Sequence, residues 1–111
     1  MEMTESRAKL DETLRSLERV VNGTRAWQAG RWNAAGGVKT TAMWDFNTYL
    51  VAVAARVEKR GPEPIPDLGA AHLPMQLSVF LRDVMDVADR LSDADVDELA
   101  TRTAQLREIL F

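Results

Sequence analysis

Four prolines fall within the thirteen residues Pro62–Pro74, in the stretch GPEPIPDLGAAHLP. Proline carries no amide hydrogen for a helix and its ring strikes the preceding turn, so no helix runs through this stretch. The chain is thereby divided into two parts joined at 61–74 by an extended, polyproline-like connection, with room for one turn at Asp67–Ala71.

The flanks read as helices almost throughout, because their apolar residues recur at three and four positions. Leu10, Leu14, Leu17 and Val21 form one stripe, with Met3 ahead of it at the same phase, and predict a helix from about Thr4 to at least Val21. Met43, Phe46, Leu50, Val53, Ala54 and Val57 form the main stripe of a second helix, about Thr41–Arg60, and Trp44, Val51, Ala52 and Ala55 cover much of its remaining circumference. A helix apolar nearly all round is a buried one, so this segment is expected to form the centre of the core. A third helix starts at Pro74 or Met75, with proline at its favoured first position, and turns Leu77, Phe80, Leu81, Val84, Ala88 and Leu91 inward. Ser92 is a good N-cap for a fourth, supported by Asp93 and Asp95 in its first turn. There Val96, Leu99, Thr103, Leu106 and Leu110 recur as a narrow heptad-like seam.

Between Val21 and Gly36 a short extra helix is expected at about 24–35, after a kink near Gly23, since a structureless loop of that length is unusual in a compact domain. No segment alternates apolar and polar residues with a β-branched bias. The predicted fold is all-α, a compact four-helix bundle-like array, with 1–111 as a single domain.

The stretch AAGGVKTTAMW, Ala34–Trp44, superficially resembles a nucleotide phosphate loop. That loop needs glycine directly before the lysine and another five residues earlier, between a strand and a helix. Here those positions hold Val38 and Asn33, and no strand signature precedes them. Gly36 and Gly37 are better read as a helix stop in the left-handed conformation, Thr40 or Thr41 as the cap of the next helix with Asp45 in its first turn, and Lys39 as a charge in a loop.

Charge narrows the partners. The net charge is −3, with the middle of the chain basic (Arg25, Arg31, Lys39, Arg56, Lys59 and Arg60 against Asp45 and Glu58) and residues 61–111 strongly acidic. An acidic whole argues against nucleic acid, whose binding rests on phosphate neutralisation. The chain has no cysteine, which removes disulfides, thiolate metal sites and cysteine nucleophiles. The uncharged, apolar run Phe46–Ala55 falls far short of the roughly 20 residues of a membrane span. The charged N-terminus MEMTESRAKL has no apolar run behind it, so a cytoplasmic location without membrane contact is expected. Eleven arginines against three lysines, with abundant alanine, associate with a high-GC bacterial genome.

Three constellations carry functional possibilities. Trp27 and Trp32, interleaved with Arg25 and Arg31, form a candidate partner-binding surface of Trp27, Arg31 and Trp32, residue types enriched at binding hot spots. On a helical projection Trp27 falls off the stripe of Trp32, so the two are not expected to point inward together. Trp44, Tyr49 and Phe80 are candidates for an apolar small-molecule pocket. Asp83, Asp86 and Asp89 have the three-residue spacing with which all-α nucleotide hydrolases hold magnesium, but they spread over the side opposite Leu77, Leu81 and Val84, as a solvated face does. His72, the only histidine, has no motif neighbour.

No catalytic constellation survives, and no metal or cofactor is expected. The reading is a non-enzymatic helical protein that binds a protein partner or itself. The seams of the first and fourth helices suit pairing with each other or across a homodimer. A small-molecule-binding regulator is the alternative, and a magnesium-dependent nucleotide hydrolase a more distant one.

Overall fold

The computed structural model describes residues 2–111, with side chains from residue 5 onward, so the stripe position expected at Met3 lies outside the described side chains. Four helices carry the chain: α1 (Glu2–Thr24), α2 (Ala29–Val57), α3 (Leu73–Asp86) and α4 (Asp93–Leu110). Single 3-10 turns at Ala70–His72 and Ala88–Arg90 introduce α3 and close it, and no strand occurs among the described residues.

The stripes seen in the sequence become the core. Leu10, Leu14 and Leu17 of α1, Met43, Phe46 and Leu50 of α2, Leu77, Leu81 and Val84 of α3, and all five seam positions of α4 are buried. On α1 the stripe ends on Val20, which is fully buried, while Val21 borders a surface dent beside Met75 and Ser78. Spacings of three and four from Leu17 both continue a helix stripe, and only the packing of α1 against α3 and α4 decides between them. Phe80, Ala88 and Leu91, expected inside, are half-buried and pack against the edge of the core; α3 stops at Asp86, and the tighter 3-10 turn rotates Ala88 and the residues after it.

α1 runs one turn further than expected. Gly23 is helical rather than a kink, and the Thr24 hydroxyl donates to the Val20 carbonyl at 2.8 Å. Gln28, in extended conformation, then opens α2. The short extra helix expected at 24–35 is present only as the turn 29–33, because the backbone breaks at once: Ala34 is extended, and Ala35, Gly36 and Gly37 all take left-handed angles, with φ of 54°, 73° and 81°. Three such residues in succession re-aim the axis of α2. Helical geometry resumes at 38, ahead of the expected start at Thr41. Thr40 therefore does not cap it; its hydroxyl reaches back to the Trp32 carbonyl at 2.9 Å and ties the two pieces together. Asp45 lies beyond the first turn for the same reason. The α4 start is as expected: Ser92 Oγ accepts from the Asp95 amide, and the Asp95 carboxylate accepts from the Ser92 amide.

Cross-helix contacts set the directions. Ser6 meets Asp93, Lys9 meets Asp97 and Ser16 meets Arg107, so α1 and α4 run parallel. Arg56 meets Asp95 and Lys39 meets Leu110, so α2 opposes α4. α1 packs on α3 and α4, and α2 packs on α3 and α4, which makes the order round the bundle α1, α3, α2, α4. Glu18 lies near Asp86 and Arg25 near Pro74, so α3 opposes α1 and runs parallel to α2.

The result is an up-down-down-up bundle with one crossover, and the proline-rich segment is that crossover. It must climb from the end of α2 back to the level of Trp44, roughly 15–20 Å at 1.5 Å per helical residue, which an extended strand of chain does and a tight turn cannot. Gln76 of α3 holds it, donating to the Pro66 carbonyl at 2.9 Å. The seams of α1 and α4 are spent on each other and on the core, so neither is left open for a homodimer.

Candidate functional site

The end of the bundle where α1 and α4 finish and α2 begins gathers most of the aromatic surface. Trp32 sits beneath it, 1 % exposed, as the largest side chain of the core. Expected at a partner surface, it is a core residue instead, because the left-handed break after Asn33 turns its helical piece down onto the bundle. Trp27 lies on it with ring centroids 4.9 Å apart; the two do not both point inward, since Trp27 stays half-exposed, but they touch, which a helical projection does not show. A projection assumes one continuous helix, and Trp27 precedes the helix that carries Trp32.

Phe111 closes on the other side of Trp27, 5.8 Å away and edge-on, yet is 59 % exposed. Gly23 makes room for it: a Cβ there would stand 3.2 Å from the Phe111 ring. Two cations cover Trp27, with the Arg31 guanidinium 4.3 Å and the Lys39 ammonium 5.1 Å from its centroid. Lys39, expected to be a loop charge, is a helix residue that caps α4. Its Nζ donates to the Leu110 carbonyl at 2.8 Å, where the helix dipole is negative. The arrangement is a rigid, half-exposed indole and an exposed phenyl ring framed by arginine and lysine.

The other candidates do not converge. Trp44 lines a cleft of 200 Å³ with Thr40, Thr41, Asp67 and Ala70, beneath the crossover. Tyr49 packs against Phe46 at 5.9 Å and beneath the Arg102 guanidinium at 4.4 Å. Burial pushes its phenol up to about 12, with Glu98 and Asp95 adding to the rise and Arg102 and Arg56 opposing it. Trp44 and Tyr49 stand five residues apart on one helix, about 140° around its axis, so they face different ways. Phe80 is half-buried on α3.

The acidic residues are structural ties as much as a solvated face. Asp89 belongs to the 3-10 turn rather than to α3 and pairs with Arg7 at 2.9 Å, so Asp83, Asp86 and Asp89 do not share one helical row. Lys9 pairs with Asp97 at 2.7 Å, and Arg56 with Asp95 at 2.6 Å. Burial raises the Asp95 carboxyl, but the Ser92 amide and hydroxyl and the Arg56 guanidinium outweigh it and hold it below the ordinary value. Among the described residues no three acidic or histidine side chains are placed to hold a metal ion. His72 is exposed in the turn before α3.

Two features had no sequence signal. A shallow groove of 610 Å³ runs between α1 and α4, floored by Thr13, Ser16, Ala100, Thr103 and Ala104. Four buried polar atoms have no hydrogen-bond partner among the described residues: Trp32 Nε1, Asn47 Oδ1, Gln76 Oε1 and Thr103 Oγ1. No described helix is long and apolar enough to cross a membrane. No family model, curated protein or solved structure matches the chain.

Proposed function

We propose that the chain is a small helical interaction protein, a regulatory or assembly subunit, that binds another protein through the bundle end where Trp27, Arg31 and Phe111 meet. One observation carries this reading: an aromatic pair left partly in solvent although it is held firmly from below by Trp32 and flanked by two cations. Pre-ordered aromatic and arginine side chains bind with little loss of conformational freedom, and such residues dominate protein interfaces. Trp32 supports the surface from below and is not part of it. In this reading the protein works in a bacterial cytoplasm, without a cofactor and without catalysing a reaction. The small-molecule alternative is weaker, since the cleft at Trp44 is smaller than the roughly 300–1,000 Å³ of ordinary ligand sites.

The test is affinity capture from the native host with the wild type, Trp27→Ala and Arg31→Ala side by side, scored by quantitative mass spectrometry. Arg31 is exposed, so its loss leaves the fold intact. Proteins retained by the wild type and lost from both variants, at unchanged helicity, support the reading. Identical retention by all three removes it.

A further inference from the structure

The outward face of α3 is another place where apolar side chains stand in solvent, and it carries three of them. Met75 is 64 % exposed, Val79 53 % and Met85 45 %. Met75, Ser78, Arg82 and Met85 succeed one another at three, four and three residues, the spacing of a helix-pairing seam, and all four are exposed. This spacing is symmetric about residue 80. Two copies of α3 laid antiparallel about that point place Met75 of each against Met85 of the other, and Ser78 against Arg82. Methionine suits such a contact, because its flexible thioether fills an irregular surface.

The charges beside the seam are self-complementary in the same register. α1 lies alongside, with Arg25 next to Pro74 and Met75, and Glu18 next to Arg82 and Met85. In the antiparallel pairing, Asp86 of one copy falls opposite Pro74 of the other and reaches its Arg25. Arg82 falls opposite Ser78 and reaches Glu18. Each contact occurs twice, as an isologous interface requires. Within one chain none of these four charges makes an ion pair among the described residues, so each is available to a partner.

We infer that this face of α3, with Glu18 and Arg25 of α1, joins two copies of the chain into an antiparallel, two-fold symmetric dimer. The inference deepens the proposed function and rests on it in one respect, that the chain works through protein contacts. α3 has only fourteen residues, about 21 Å of helix, so the dimer is expected to dissociate at micromolar concentration.

Sedimentation equilibrium over about 1 µM to about 1 mM reads the mass directly. The expected result is a rise from the 12.4 kDa of one chain toward twice that value. Arg82→Glu and Glu18→Arg are each expected to weaken dimerisation at least about tenfold, roughly 1.4 kcal/mol, by placing like charges together, and the combined variant is expected to restore it. Because the chain has no cysteine, register is testable by crosslinking. A mixture of Met75→Cys and Met85→Cys chains is expected to form disulfide-linked dimers in higher yield than either chain alone. A wild type that stays monomeric throughout, a combined variant no better than the single ones, or crosslinking no better in the mixture would each overturn the proposal. A monomer that still captures a protein through Trp27 overturns the dimer and leaves the proposed function standing; a dimer whose captured proteins are indifferent to Trp27 does the reverse.

Discussion

Replacing both Gly36 and Gly37 with alanine is expected to destabilise the protein, the opposite of what the change does in an ordinary helix. Both glycines sit at left-handed φ, and a Cβ at either position would meet nothing within 4 Å, so the effect is one of backbone conformation alone. An L-residue in that region costs roughly 1–2 kcal/mol, partly offset by the roughly 0.4–1 kcal/mol that alanine removes from the freedom of the unfolded chain. The net loss is about 0.5–1 kcal/mol per site, hence about 1–2 kcal/mol for the pair. Were α2 one unbroken helix, each substitution would instead gain about 1 kcal/mol. For a domain of this size 1 kcal/mol moves the midpoint by about 4 °C, so the two cases differ in sign: a fall of about 4–8 °C against a rise of about 8 °C. Thermal unfolding followed by circular dichroism and by tryptophan fluorescence reads the shift. A rise in Tm would refute the break at 34–37 and, with it, the position of Trp32 in the core. Ala35→Gly relieves the alanine already in that region and is expected to raise the midpoint by about 2–4 °C.

Other consequences are open to measurement. Trp32→Ala is expected to cost about 3–5 kcal/mol and Trp27→Ala clearly less in urea unfolding, since only Trp32 is fully enclosed; equal costs would contradict the layering of the two rings. Lys39→Met is expected to cost about 1–2 kcal/mol by freeing the Leu110 carbonyl and uncovering Trp27, with faster amide exchange confined to the last turn of α4. Ser92→Ala is expected to cost about 1 kcal/mol and to flatten the acid limb of the stability curve. The Asp95 carboxyl lies below its ordinary 3.8 when folded, so its contribution is complete above that value and is lost as pH falls through the lower folded value. Tyr49 titrates the other way: with its phenol raised from 10.0 to about 12, its contribution is complete below pH 10 and is lost as pH rises toward 12. Ultraviolet titration is expected to show a midpoint near 12, and one near 10 would contradict its enclosure by Phe46 and Arg102.

Periodicity revealed the helices because each buries a face at fixed spacing, and α4 shows this most plainly: every residue of its seam is buried. What periodicity could not show is how segments meet. Val20 and Val21 satisfy the same spacing rule, and helices at least fifty residues downstream choose between them. Lys39 reads as loop charge because its partner, the Leu110 carbonyl, is 71 residues away. Asp89 reads as merely solvated because Arg7 lies at the far end of the sequence, and the ties of Asp93 to Ser6 and of Asp97 to Lys9 are hidden by the same separation. The aromatic cluster is half legible. Its composition marks Trp27 and Arg31, but burial of Trp32 depends on three left-handed residues, one of them an alanine with no local signature for that conformation. Phe111 joins only because Gly23, which reads as a helix breaker, is instead the gap it fills.

The parallel crossover also governs the order in which the chain can become stable. α1 packs on α3 and α4 but not substantially on α2, the helix made next. During synthesis its leucine stripe therefore has no lasting cover until about fifty further residues have been added. At about 5–20 residues per second that is roughly 3–10 s of exposed apolar surface, long compared with the microseconds in which a helix forms. Nascent α1 is thus the segment on which a holding chaperone has the longest purchase, and the ribosome finishes α4 before the bundle can close on itself.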